Sequence, residues 1–166
     1  HVFNPTNFGI LVTILLTGNA WVSPGQWGSD IIFIFLSIIV GSSLLLKVSR
    51  LETALAFLLS FVGLQFIYYI AFLGWPVDFL LHNLSSGTIL LFAFFMITDP
   101  MTSPKARKAR IIWALLIGAL AFALSSFMYM YDAPLWALFI MTPSNILFNR
   151  LMEGKTFKWN YKSVLN

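Results

Sequence analysis

Long apolar runs broken by short polar stretches make up most of this chain. Six such runs can be drawn: about Pro5–Thr17, Ile31–Leu46, Thr53–Leu73, Val77–Thr98, Ile111–Tyr129 and Pro134–Phe148. None shows sustained alternation of apolar and polar residues, so a β-barrel is disfavoured. A bilayer is crossed by a helix of roughly 17 to 25 apolar residues, because backbone groups in lipid must be satisfied within the segment. The pattern predicts an all-α, polytopic integral membrane protein with about six transmembrane segments, some of them half-helices. The first run is too short to cross at ~1.5 Å per residue. The fourth and sixth carry polar or proline-containing interruptions, His82–Thr88 and Pro143-Ser144-Asn145.

Composition supports lipid as the main solvent. Hydrophobic residues make up 59% and charged residues 10%, with a mean hydropathy of +0.86, whereas a soluble domain carries about 25% charged residues. With no cysteine, disulfides, thiolate metal sites and iron–sulfur ligation are excluded. The chain opens at His1 without a charged signal-peptide head. That start reads as a trimmed end, and the chain as the C-terminal part of a larger two-repeat bundle.

Charge gives an orientation. Lys47 and Arg50 follow the second run, Lys105, Arg107, Lys108 and Arg110 the fourth, and Arg150, Lys155, Lys158 and Lys162 the sixth. With six crossings all ten basic residues fall on one face. The other face receives Asp30, Asp78 and Asp132 with the aromatic loops around Trp21, Trp27, Trp75 and Tyr131. Basic residues mark the cytoplasmic side and aromatic residues the interfaces. The expectation is a multi-pass protein of the bacterial inner membrane with cytoplasmic basic loops and C-terminus. Residues 1–150 form the transmembrane domain and 151–166 a cytoplasmic basic tail. Its net charge of +4 is accounted for by topology and anionic lipid, so nucleic acid is not an expected partner; the lipid bilayer and other membrane subunits are.

Two segments do not resemble ordinary lipid-facing helices: HVFNPTNFGILVTILL at the start and HNLSSGTILLFAFFMITDP later. Aligned, they pair His1 with His82, Pro5 with Ser86 and Asn7 with Thr88. Paired segments interrupted by Gly, Pro and polar residues point to a midplane site in transporter-like folds, since half-helix N-termini present free N–H groups and a positive dipole end. Pro5 suits a first helical turn and Asn4 an N-cap. The candidate binding residues are therefore Asn4, Pro5, Thr6, Asn7, Ser85, Ser86, Gly87, Thr88, Thr98 and Asp99. For Ser85, Ser86 and Gly87, close helix packing is an equal alternative. Asp99 is either a functional carboxylate or a cap for the turn near Met101, pairing with Lys105 or Arg107. No catalytic nucleophile–base pair and no metal-ligand cluster is present, so neither hydrolytic chemistry nor a metal site is expected.

FNPTNFG, AWVSPGQWGS and LSSGTILLFAFFMITDPMTSP, in this order, resemble the RnfD component of Rnf-type electron-transport complexes and the related NqrB component of the sodium-pumping NADH:quinone reductase. The match is nearest to the short RnfD-like (UnbU-type) proteins of enediyne biosynthesis clusters, and it covers about residues 1–150. The resemblance implies a ten-span protein of two related halves and a role in electron transport coupled to ion movement. It also implies bound flavin, including FMN esterified to the Thr of an S-G-A-T motif in an extracytoplasmic loop. Here that loop, Gly18–Ser29, has no S-G-A-T, and Ser86-Gly87-Thr88 lies within a span. Covalent attachment is therefore not carried over, and FMN, riboflavin or a quinone would be held non-covalently. Two other readings fit the residues: a small-molecule or ion transporter without a redox role, and a structural component of a larger membrane complex.

Overall fold

The first helix shows how short signals set the elements. In the computed structural model, which describes residues 3–18, 22, 31–84 and 87–154, α1 spans Pro5–Thr17. Asn4 Oδ1 accepts the N–H groups of Thr6 and Asn7, both at 3.1 Å, and Pro5 occupies the first turn, where its missing N–H costs nothing. Gly18 ends the helix with φ 61° and donates to Ile14 O at 3.0 Å, a left-handed conformation that suits glycine.

Every regular element among the described residues is helical. α2 spans Ile31–Val48 and α3 Leu51–Gln65, which continues as a π-helical stretch, Phe66–Phe72. α4 spans Val77–Leu84; α5 spans Gly87–Leu91 and runs into a second π-helical stretch, Phe92–Met96. α6 spans Arg107–Phe127. α7, Ala133–Met141, passes through a 3₁₀ turn at Thr142–Ser144 into α8, Asn145–Leu151. Thus the sixth apolar run is interrupted at its proline-containing stretch, while residues 85 and 86 of the fourth lie outside the described residues. Among the described residues, two continuous helices, Leu51–Phe72 and Arg107–Phe127, are long and apolar enough to cross a membrane. The helices Pro5–Thr17 and Gly87–Met96 are apolar but shorter.

The core lies between α3 and α6. Phe57 and Phe61 of α3 meet Trp113, Ala114, Ile117 and Ala121 of α6, while Leu11, Phe92, Leu135 and Leu138 close the cluster from α1, the second π-helical stretch and α7. The Phe57 and Phe92 rings lie 4.9 Å apart. Small residues let the two long helices approach. Ser60 Oγ donates across the interface to Leu115 O at 2.8 Å, and Gly118 leaves no room for a Cβ beside Ser60 Cβ and Phe57 O. This is the packing mode that lipid favours, since apolar area alone gives helices no reason to associate there. The outer faces are apolar as well. Ile32, Phe35, Leu36 and Ile39 of α2, and Leu55 and Leu59 of α3, are exposed, as helices bathed by acyl chains require.

The bundle has two chemically different ends. At one end Tyr69, Trp75 and Phe79 pack within 5.1 Å of one another, and Tyr69 Oη donates to Ser126 Oγ at 3.1 Å. The basic residues on either side of α3 and α6 gather at the other. There Arg50 donates to Ser103 Oγ and Pro104 O at 3.0 and 3.2 Å, and Asn149 Oδ1 accepts the Lys105 N–H at 2.9 Å. Lys155, Lys158 and Lys162 lie outside the described residues.

The Gly118 contact yields a test. A Cβ there would stand 2.7 Å from Ser60 Cβ and 2.9 Å from Phe57 O, whereas one at Gly63 meets nothing within 4 Å. Gly118→Ala is expected to lower stability by about 1–3 kcal/mol through overpacking, while Gly63→Ala leaves it unchanged or slightly raised. Thermal unfolding in detergent separates the two. Equal effects would show that α3 and α6 do not pack at this distance.

Candidate functional site

The basic end is built around Asp99, at the close of the FFMITDP run. Its Oδ2 accepts the Thr102 hydroxyl at 2.9 Å and the Asn4 side-chain amide at 3.4 Å, and its Oδ1 accepts the Met101 N–H at 3.0 Å. Its backbone carbonyl accepts Ser103 Oγ at 2.8 Å. The carboxylate therefore caps its own turn and reaches the residue that caps α1. A negative charge beside a helix N-terminus is also favoured by the helix dipole. The same Asn4 amide reaches Met96 O at 3.5 Å.

Two arginines surround this turn. Arg50, at the α2–α3 joint, is 4% exposed and holds the Ser103 hydroxyl and the Pro104 carbonyl. Burial, with Arg110 nearby, lowers its guanidinium to about 10, opposed by the charges of Glu52 and Asp99, so Arg50 stays cationic at neutral pH. Arg110, in the first turn of α6, pairs with Glu52 in the first turn of α3 and donates to Lys105 O at 2.8 Å. Asn145, at the start of α8, donates its amide to Thr102 O. Four chain segments are locked together by these contacts.

The candidate residues divide between two places. Asn4 and Asp99 meet directly. Thr98 lies beside them but is buried and donates to its own helix at Phe94 O, 2.7 Å away. Asn7 is buried, donates to Leu135 O at 3.1 Å, and leaves its Oδ1 without a partner. Pro5 and Thr6 are exposed. Gly87 and Thr88 open α5 at the other end of that segment, roughly 15 Å or more from Asp99 at ~1.5 Å rise per residue. Ser85 and Ser86 lie outside the described residues.

At the end of α4 sits a polar pair that the sequence pattern does not bring together. Gln65 is fully buried within α3, its Oε1 accepts Asn83 Nδ2 from α4 at 3.2 Å, and its Nε2 has no partner. The available signal is a lone glutamine in an apolar span, a costly and therefore informative placement. Arg50, Glu52, Arg110 and Asn145 are equally unmarked, the arginines because they read as topology signals.

Flavins and quinones combine a flat apolar body with carbonyl edges. At the Asp99 turn the polar groups already satisfy one another, and that donor set does not fit such a ring. The Gln65 region fits better: an unpartnered buried donor lies one helical turn from Tyr69, and Asn83 one turn from Phe79, both in the aromatic cluster.

The Arg110–Glu52 pair gives a stability test. Arg110→Met leaves Glu52 without its cation and is expected to cost about 3–5 kcal/mol. Adding Glu52→Gln should restore much of that loss. Chemical unfolding of both variants in detergent checks this, and a single variant as stable as the parent would refute the coupling.

The chain matches the NQR2, RnfD, RnfE family over residues 8–158. It is 36% identical over 80 residues to the D component of the ion-translocating oxidoreductase complex of Stutzerimonas stutzeri, covering 48% of this chain and 23% of that protein. The corresponding component from Cronobacter sakazakii is 42% identical over 60 residues, covering 33% of this chain and 17% of the relative. That of Cellvibrio japonicus is 28% identical over 128 residues, covering 76% and 35% respectively. The chain thus spans about a third or less of the length of these curated relatives. With most of its length matched, the chain belongs to the NQR2, RnfD, RnfE family.

Proposed function

We propose that this chain is a membrane-embedded part of an Rnf-like, ion-translocating electron-transport component, and that the region around Gln65 and Asn83, where α3 meets α4, holds a flavin or quinone non-covalently. The family match over residues 8–158 carries the first half of this reading. The buried, unpartnered Gln65 Nε2 supports the second. In this reading all six apolar runs enter the membrane, the first as the half-helix α1, and the basic end faces the cytoplasm. The relatives named above are parts of a complex, so neighbouring membrane subunits are the expected partners here.

A bound flavin or quinone supplies one- and two-electron chemistry, while the protein supplies binding and electrostatics. Gln65 Nε2 would donate to a ring carbonyl, a hydrogen bond that gains strength as negative charge develops on that oxygen. Asn83 fixes the Gln65 amide in the orientation that leaves Nε2 free. Tyr69, Trp75 and Phe79 would keep water from that edge. Asn4 and Asp99 have a positioning role: they hold α1 against the end of the segment that α5 opens. Loss of the S-G-A-T loop motif is consistent with non-covalent retention.

The visible absorption spectrum of the detergent-purified protein, before and after acid precipitation, tests this reading. Flavin bands near a one-to-one ratio that move to the supernatant are expected, and Gln65→Leu should reduce the retained flavin several-fold. Bands that stay in the pellet would mean covalent attachment. A protein with neither flavin nor extractable quinone would overturn the redox reading in favour of a transporter.

A further inference from the structure

A cavity of about 520 Å³ opens at the basic end, away from Gln65. Lys105, Arg107, Lys108 and Arg110 line it together with the 152–154 stretch, where Glu153 is the one acidic lining residue. Gly154 forms part of its wall. A Cβ there would collide with the backbone of Lys105 and Ala106, so only glycine lets the chain close against the start of α6. The first turn of α6 has no capping side chain, and its amides add positive potential to that of the lysines and arginines. Arg110 is 9% exposed and lines the cavity, yet its Nε has no hydrogen-bond partner. Its Nη2 is balanced by Glu52, which leaves Lys105, Arg107 and Lys108 as cations in excess over Glu153.

We propose that this cavity is a phosphoryl site that takes the headgroup phosphate of an anionic phospholipid. Positive charge, helix N-terminal amides and a concave wall are what a phosphodiester requires. The lipid source follows from position: α6 is long and apolar enough to cross a membrane, so its first turn lies at headgroup depth, and Met152 adds an apolar wall. A uniformly spread basic surface would attract anionic lipid as well, but diffusely. The cavity makes a different claim: a bound lipid whose affinity depends on these particular cations. It rests on the membrane placement of α6 and is independent of any redox role.

The test uses the full chain in detergent, titrated separately with phosphatidylglycerol, phosphatidylcholine and inorganic phosphate, with retention read by native mass spectrometry. Arg107 and Lys108 are exposed, so Arg107→Ala/Lys108→Ala should fold as the parent does, which its melting temperature checks. Arg150, exposed at the same end outside the cavity, supplies the control Arg150→Ala. Phosphatidylglycerol is expected to bind in preference to phosphatidylcholine. The double variant should lose roughly thirtyfold in that affinity, about fivefold per cation, and the Arg150 control less than about threefold. An equal loss in the control, or equal binding of both lipids, overturns the site. Inorganic phosphate that competes at millimolar concentration would overturn the lipid assignment and leave a soluble phosphate as the ligand.

Discussion

The contact between the Asn4 amide and the Asp99 carboxylate is the interaction on which the arrangement of this bundle turns. α1 has thirteen residues, too few to span a bilayer or to be positioned by crossing it. Its location must come from its N-terminal end. Asn4 uses one side chain for two tasks, accepting the first-turn N–H groups of α1 and donating to the turn that closes the α5 segment. Asp99 in turn holds Thr102 and, through its backbone, Ser103, which Arg50 ties to the α2–α3 joint. α1, α2, α3 and α7 are only weakly amphipathic, so polar contacts at the helix ends share the role of positioning them. These contacts are part-buried, which limits the competition from water.

Much of this is legible in the sequence because membrane helices are long and their interruptions conspicuous. The apolar run Pro5–Thr17 is α1 itself, with Asn4 as its cap, and FNP and TDP both stand out as polar breaks in apolar surroundings. Asp99 serves as the cap near Met101, while Lys105 engages Asn149 through its backbone N–H. α6 starts four residues before its apolar run because its first turn, Arg107–Arg110, is basic. Hydropathy cannot see a helix that extends past the apolar region. The π-helical stretches after Gln65 and Leu91 leave no local mark either, since they depend on tertiary packing and local insertion of a residue into the helical ladder.

Partnerships are what the sequence hides. Arg50 and Arg110 have the same composition signature as Lys47 and Lys108, yet they are buried against Ser103 and Glu52 while the lysines are exposed. Gln65 and Asn83 stand on different helices, and nothing in their spacing announces that they meet. The polar residues divide into a satisfied cluster at Asp99 and an incompletely satisfied pair at Gln65. The first is suited to holding segments in place, the second to receiving a ligand. Buried polar groups whose hydrogen bonds are complete rigidify a fold, whereas an unpartnered donor calls for an explanation.

A double-mutant cycle on Asn4 and Asp99 tests the central claim most directly, with Asn4→Ala, Asp99→Ala and the pair unfolded under identical detergent conditions. Asn4→Ala alone should cost about 1 kcal/mol through the lost cap. If the contact positions α1, the two substitutions will couple by about 0.5–2 kcal/mol. Additive effects, within ~0.5 kcal/mol, would mean that α1 is positioned by its core contacts alone and would contradict the account.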